Sequence, residues 1–249
     1  MTDSKVKTVD KKIDVYERQA VLYDEIYASQ GKDYQEEARQ IHNVIDSHKR
    51  SDGSQLLDVG CGTGGHFPFL SKWYKVEGLD LDGHMLAVAK RRFPDISFHQ
   101  GDMANFNLEN QFDAVTCLFS AIGYTKKAES MQKSIVNMAK HVNPGGVLVV
   151  EPWFSPDQWT VGRPSAVFVD KPDLKIARVN ISEQRDNVSV INFHILVATP
   201  GKVEEFTELH ELGLFTKEQY LRGFEMAGLK VEHDPKGITG RGLYIGLKS

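Results

Sequence analysis

Between Leu56 and Gly65 the chain reads LLDVGCGTGG, an apolar run and one carboxylate followed by residues almost without bulk. A turn so bare lets a backbone lie directly against another molecule. Gly60, Gly62 and Gly65 have the G-x-G-x-x-G spacing expected where a strand enters a helix and cradles a nucleotide. Around this turn, strands and helices alternate. QLLDVG, KVEGLDL, ISFHQGDM, FDAVTCLFS and GGVLVVEPW read as strands, while HFPFLSKW, GHMLAVAKRRF and AESMQKSIVNMAKHV read as helices. The strands are short and β-branched rather than alternating, as happens when helices cover both faces of a parallel sheet. The expectation is a doubly wound, Rossmann-like α/β fold.

Upstream, the apolar spacing from Ile13 to Ala28 predicts an amphipathic helix, and GKDYQEEARQIHNVIDSH a second one after a break at Gly31. Residues 1–12 are expected to form a flexible tail. After Pro152 the rhythm changes: AVFVDKP, LKIARVNISEQ, VSVINFHILVAT and KVEEFTELHELGLF alternate like strands, with turn signals and no helices between them. This predicts an antiparallel β insert over 155–214. The core then comprises 13–154 and 215–249, with Thr216 capping a helix that Gly228 stops and two closing strands, LKVEHDP and GLYIGLK.

The glycine spacing alone does not choose between a dinucleotide and S-adenosylmethionine (SAM). Asp58, immediately before the loop, would repel a pyrophosphate but suits the ammonium of a methionine moiety. Asp80 ends the second strand, where it can take ribose hydroxyls. Asp102 in QGDM can accept from an adenine amino group, with Met103 against the ring. Tyr244 and Lys248, the one Tyr-x-x-x-Lys pair, stand ~13 Å apart in an extended strand and cannot act as a coupled dehydrogenase pair. These features favour SAM.

The motifs LLDVGCGTGG, VEGLDLD, QGDM, FDAVTCLFSAIGY and NPGGVLVVEPW resemble those of class I SAM-dependent methyltransferases. GKDY, TCLFSAIG, EPWF, LFTKEQYLRGFEMAGL and GITGRGLYIG further resemble the N,N-dimethyltransferases of TDP-3-amino-deoxysugar biosynthesis, from about Tyr16 to the C-terminus. The resemblance implies a SAM-binding core with an N-terminal helical lid, S-adenosylhomocysteine as product, and a nucleotide-sugar acceptor held by the insert. It implies a cofactor pocket of Tyr23, Tyr34, Asp58, Gly60, Gly62, Asp80, Leu81, Asp102, Met103 and Leu118. Tyr34 would meet the SAM carboxylate. Tyr16 would line the acceptor site, with Trp153 and Phe154 as aromatic faces and Arg178 and Arg241 for a diphosphate. An arginine framed by glycines, as in TGRGLY, suits planar bidentate recognition.

Tyr124 departs from the family pattern, which carries a histidine here. A tyrosine stays protonated near neutrality, so either Tyr124 orients the amine, with at most weak basicity, or the acceptor differs. Two alternatives therefore stand beside sugar N-methylation: methylation of another small amine, hydroxyl or carboxylate metabolite, and a non-catalytic SAM-binding regulator.

Net charge is −4, with no basic stretch interleaved with aromatics, which argues against nucleic acid as substrate. No apolar run approaches a membrane span. MTDSKVKTVDKK lacks the apolar core of a secretory leader. Two cysteines give no disulfide framework, and a cytoplasmic protein is expected. The nine histidines show no metal-ligand spacing; the HEL at His210 reads as a strand fragment, and the GKD at Gly31 lacks the rest of a P-loop. A homodimer is compatible with all of this.

Overall fold

The computed structural model describes residues 15–249, and for 15–21 the backbone alone. The tail expected over 1–12 and the side chain of Tyr16 lie outside the described residues. In chain order the elements begin with α1 (Val15–Ser29), α2 (Tyr34–His48), β1 (Gln55–Val59), α3 (Phe67–Leu70), β2 (Lys75–Asp80), α4 (Gly83–Arg92) and β3 (Ser97–Gln100). They continue with β4 (Phe112–Cys117), a 3₁₀ turn over Ala121–Thr125, α5 (Ala128–Lys140) and β5 (Val142–Val150). The insert supplies β6 (Pro164–Lys171), β7 (Leu174–Arg185), β8 (Val188–Thr199) and β9 (Lys202–Gly213), before α6 (Lys217–Met226), β10 (Lys230–Asp234) and β11 (Leu243–Leu247) close the core.

The seven-stranded sheet runs in the order β10-β11-β5-β4-β1-β2-β3. β1 to β5 are mutually parallel, while β11 lies antiparallel to both β5 and β10. Period-two geometry sorts each strand's side chains between two cores. Leu57, Val59, Val115, Cys117, Leu148 and Val150 pack with Met131 and Ile135 of α5 and Phe224 of α6. Leu56, Ala114, Val147 and Val149 face the other way, against Ile41 and Ile45 of α2 and against Phe67 and Leu86. Both faces are thus covered, which is why the strands read as apolar throughout.

Several boundaries have local causes. Asp33 caps α2 by accepting from the backbone N–H groups of Gln35 and Glu36, both at 3.0 Å. Thr216 and Gln219 form a reciprocal capping box at α6, and Gly228 beyond its end takes φ +69°. The helix expected over HFPFLSKW shrinks to Phe67–Leu70. Pro68 fits only its first turn, and the chain then tightens through i→i+3 bonds from Lys72 to Phe69 and from Trp73 to Leu70. The strand expected over ISFHQGDM stops at Gln100, because Asp102 turns the chain by accepting the Ala104 N–H on its side chain at 2.8 Å.

The insert is a four-stranded antiparallel sheet, β6-β7-β8-β9, whose strands begin at Pro164. Its inner face, with Val169, Ile176, Ile195 and Val197, packs on Leu22 and Ile26 of α1. An ion pair from Glu25 to Lys171 joins α1 to the insert, and Asp24 reaches Arg92 of α4 at 2.5 Å. The N-terminal helix therefore bridges the two sheets.

Candidate active site

Strand order reverses between β1 and β4, and a crevice opens at the carboxyl ends of parallel strands at such a point. A cavity of ≈ 1650 Å³ lies there, lined by the glycine loop, by α1 and by residues of the insert. The loop is tied to β2: the N–H groups of Gly60 and Cys61 both donate to the Leu79 carbonyl, at 2.7 and 3.1 Å. Gly60 takes φ +75°, and a Cβ there would stand 2.6 Å from the Ala121 Cβ. Gly62, at φ +55°, has nothing within 4 Å of where a Cβ would be. One glycine admits the turn after β4 and the next leaves the backbone bare to the cavity.

One end of the cavity is acidic. Asp58 is 3% exposed and accepts from the Thr116 hydroxyl at 2.8 Å. Burial pushes its carboxyl up to about 6, against the opposing pull of His66 and Thr116. Asp80 accepts from the N–H of Gly62 at 2.7 Å and of Asp82 at 2.9 Å, and burial raises its carboxyl too. Asp102, Met103, Leu81 and Leu118 border the same space, with Leu118 buried and Leu81 exposed. Tyr34 lies edge-on to His66 at 5.0 Å and closes on Gly65, while Tyr23 stacks obliquely on Tyr27 at 4.4 Å. Every cofactor residue expected from the sequence lines this cavity.

These residues fit SAM. Buried carboxylates beside an open glycine loop suit a cation and would repel a pyrophosphate. The helix after the loop has four residues, too short a dipole to hold a diphosphate.

The other end is basic and aromatic. Arg178 of β7 is buried between the rings of Phe193 at 4.3 Å and Tyr27 at 5.3 Å. Its Nη2 donates to Gln30 at 3.1 Å, and its Nε has no hydrogen-bond partner. Arg241 sits between Gly240 and Gly242, at φ +83° and +93°, but is not a solvated turn residue. Its Nη2 reaches Glu151 at 3.2 Å, its Nε is unpartnered, and the rings of Phe119, Trp153 and Phe154 surround it. Trp153 lines the cavity and donates to Ser189 at 2.8 Å, so its indole is fixed from behind by the insert. Tyr124 projects from the 3₁₀ turn between the two ends. Tyr124 is half-exposed at the cavity; partial desolvation, with lesser contributions from Tyr27, Glu208 and Asp80, raises its hydroxyl above its usual range, so Tyr124 alone is not a base.

Residues 56–146 match the family model described as a methyltransferase domain. The chain is 43% identical over 230 residues to the dTDP-3-amino-3,6-dideoxy-alpha-D-glucopyranose N,N-dimethyltransferase of Streptomyces fradiae, covering 92% of this chain and 90% of that protein. The chain belongs to the family of the dTDP-amino-sugar N,N-dimethyltransferases. It is a SAM-dependent methyltransferase. The crystal structure of Streptomyces venezuelae DesVI superposes with a TM-score of 0.89 at 40% identity, covering 93% of this chain and 98% of that one. SAM-bound CalS10, an amino pentose methyltransferase from Micromonospora echinaspora, gives a TM-score of 0.84 at 36% identity, covering 92% and 97%.

Three residues of the methyltransferase's cavity region escaped the sequence reading. Glu151, inside EPWF, is buried and accepts from the Phe119 N–H at 2.6 Å, from the Thr239 hydroxyl and from Arg241. It thereby holds Phe119 and Ser120 in left-handed backbone, at φ 48° and 63°. Lys32, in GKDY, pairs with Glu37 at 2.7 Å beneath the Phe119 ring, its ammonium 3.6 Å from the centroid, and burial lowers its pKa. His210, in the strand fragment HEL, lies 2.7 Å from the Tyr124 hydroxyl. A carboxylate at a strand end and a histidine in a cavity-facing strand were the available signals, but neither residue's partner is near it in sequence.

Proposed function

We propose that this enzyme transfers methyl groups from SAM to the amino nitrogen of a TDP-linked amino-deoxysugar, completing an N,N-dimethylation. The opposite charge of the cavity's two ends carries this reading. Asp58 and Asp80 receive the cationic cofactor, Asp58 its ammonium and Asp80 its ribose, with Asp102 and Met103 at the adenine and Tyr23, Leu81 and Leu118 as walls. Arg178 and Arg241 receive the diphosphate, and their unpartnered Nε donors gain acceptors from it. Trp153 and Phe154 supply apolar faces for the base. Bound SAM contributes an electrophilic methyl on a sulfonium. The chain positions the acceptor against it: Tyr124 holds the amine between the two ends, and aromatic walls exclude water. Such alignment is worth roughly 7–11 kcal/mol of barrier.

The direct test is incubation with SAM and a TDP-linked amino-deoxysugar, with mass spectrometry of the sugar. Gains of one and two methyl groups, with matching S-adenosylhomocysteine, are expected. Failure of TDP to raise the melting temperature, together with methylation of an unrelated amine, would reject the nucleotide-sugar assignment. Arg241→Lys keeps the charge but loses the planar fork. At roughly 1.5–3 kcal/mol for hydrogen bonds to a charged group, the acceptor KM should rise about 10- to 100-fold while kcat at saturation changes little. An unchanged KM would remove Arg241 from the diphosphate site.

The proposed core and insert boundaries, 13–154 with 215–249 against 155–214, follow this division of labour. The insert's outer face supports a homodimer. Phe168 is 67% exposed there, and Val179, Ile181, Leu196 and Leu209 share that face, whereas a solvated sheet face is normally polar. A second copy of the same sheet, meeting it about a two-fold axis, is self-complementary by construction. Light scattering should give a dimer, and Phe168→Glu a monomer; a monomeric parent chain would end that proposal. No described helix is long and apolar enough to cross a membrane. Two free, buried thiols, Cys61 and Cys117, support a reducing cytoplasm.

A further inference from the structure

We infer that His210 is the positioning residue that drains the acceptor's proton, taking it through the Tyr124 hydroxyl. This rests on the N-methylation reading above and adds to it a route by which an ammonium becomes a nucleophile. An ammonium has no lone pair to accept a methyl group. A first methylation of a primary amine also leaves the nitrogen protonated, so a second requires a proton sink within reach.

The geometry supplies one. The Tyr124 hydroxyl lies 2.7 Å from His210 Nδ1, and His210 Nε2 lies 3.5 Å from a carboxylate oxygen of Glu208. The Phe193 ring meets the imidazole edge-on at 5.2 Å and limits its rotation. Glu208 favours the tautomer with the proton on Nε2, leaving Nδ1 to accept from Tyr124. The hydroxyl oxygen then has lone pairs free toward the cavity, which both Tyr124 and His210 line. When an acceptor ammonium donates there, one N–H bond breaks and an O–H bond forms. The original O–H breaks, and Nδ1–H forms. The products are a neutral amine with its lone pair, an intact tyrosine and an imidazolium beside Glu208. The His210 side chain is 23% exposed, so the proton has an exit to solvent.

The surrounding charges permit this. Tyr23 and Tyr27 of α1, Asp80 at the end of β2 and Glu208 of β9 act on Tyr124. Lys126, following the 3₁₀ turn, is neutralised by Glu211 at 2.6 Å, and Glu211 also meets Arg185 at 3.6 Å. Arg178 of β7 packs on the same Phe193 ring that meets His210 and brings a positive charge to that side. The imidazole thus comes from β9, one hydroxyl further from the amine.

The test compares the parent enzyme, His210→Ala and His210→Gln across pH at saturating SAM and amino sugar. Glutamine can still accept the Tyr124 hydrogen bond but cannot take a proton. Both variants should lose about tenfold or more in kcat near neutrality, a modest general-base contribution. They should accumulate monomethylated product and converge on the parent above the amine's own pKa. A deficit independent of pH, or full activity of His210→Gln near neutrality, would overturn the relay and leave His210 a structural support. A second readout needs no acceptor. In ¹⁵N spectra of the SAM-loaded parent enzyme at mildly alkaline pH, His210 Nδ1 should be unprotonated and shift in Tyr124→Phe. A protonated Nδ1, or no response to that change, would sink the inference whatever the acceptor. Absence of sugar methylation by the parent enzyme would instead count against the function proposed above, and the spectra would still decide the relay.

Discussion

Replacing Asp58 with Asn is expected to weaken SAM binding by about two to three orders of magnitude, the range for truncating one partner of a buried charge pair. Asparagine preserves the volume and can still accept from Thr116, so fold and loop should survive. What is lost is the one fully buried negative charge at the end of β1, the proposed seat of the ammonium. The effect of pH follows with a definite sign. Burial places the Asp58 carboxyl near 6 in the empty protein, and a bound ammonium lowers it by favouring the ionised form. Protons and cofactor therefore compete. Affinity should be level above about pH 6 and fall as pH drops through that value, until the carboxyl of the complex itself protonates. Asp58→Asn should flatten this part of the profile. Calorimetric titration of both proteins across that interval measures it. An unaltered affinity, or the same acid limb in Asp58→Asn, would assign the ammonium to another group.

Glu151→Ala carries the largest expected loss of stability, about 3–5 kcal/mol, the cost of leaving a buried charge without its partner. Two structural facts support so large a figure. Glu151 and Arg241 keep only 3% and 13% of their side chains exposed, so water reaches Arg241 only from the cavity side. The same carboxylate accepts the Phe119 N–H at 2.6 Å, and that turn adopts a backbone that residues other than glycine rarely occupy. Removing it frees two unfavourable elements together. Urea unfolding should show the midpoint shift at unchanged slope. Glu151→Gln, which keeps an acceptor for Phe119 but not the charge, should lose less. A loss below about 1 kcal/mol in Glu151→Ala would place the pair in the class of solvated surface bridges.

What could be read along the chain was what the chain specifies locally. The N-cap at Thr216, the stop at Gly228, the strand over QLLDVG and the bare loop after it depend on neighbours a few residues away, and the structure carries them all. The antiparallel insert was legible for the same reason, since its alternation changes period at a definite point. The shortness of α3 was not legible: Pro68 marks its N-terminal end, and the i→i+3 bonds that follow Leu70 close it after one turn. The relations that make a cavity were not legible. Tyr124 and His210 are 86 residues apart, and Glu151 and Arg241 are 90. No periodicity encodes such pairings. His210 follows the ordinary in–out rhythm of β9, and only the packing of the 3₁₀ turn against that strand brings Tyr124 to it. Likewise α1 announces an apolar stripe, but not that the stripe will rest on the insert.

The separation of the acidic and basic ends bears on the interval between two successive methylations. On the proposed reading, Asp58 and Asp80 face one positive charge fewer after each turnover, because a spent thioether has replaced the sulfonium. Arg178 and Arg241 face the same diphosphate before and after. The grip therefore slackens where exchange is needed and holds where it is not. On that reading the diphosphate contacts of a half-finished sugar are the same on either side of the first transfer.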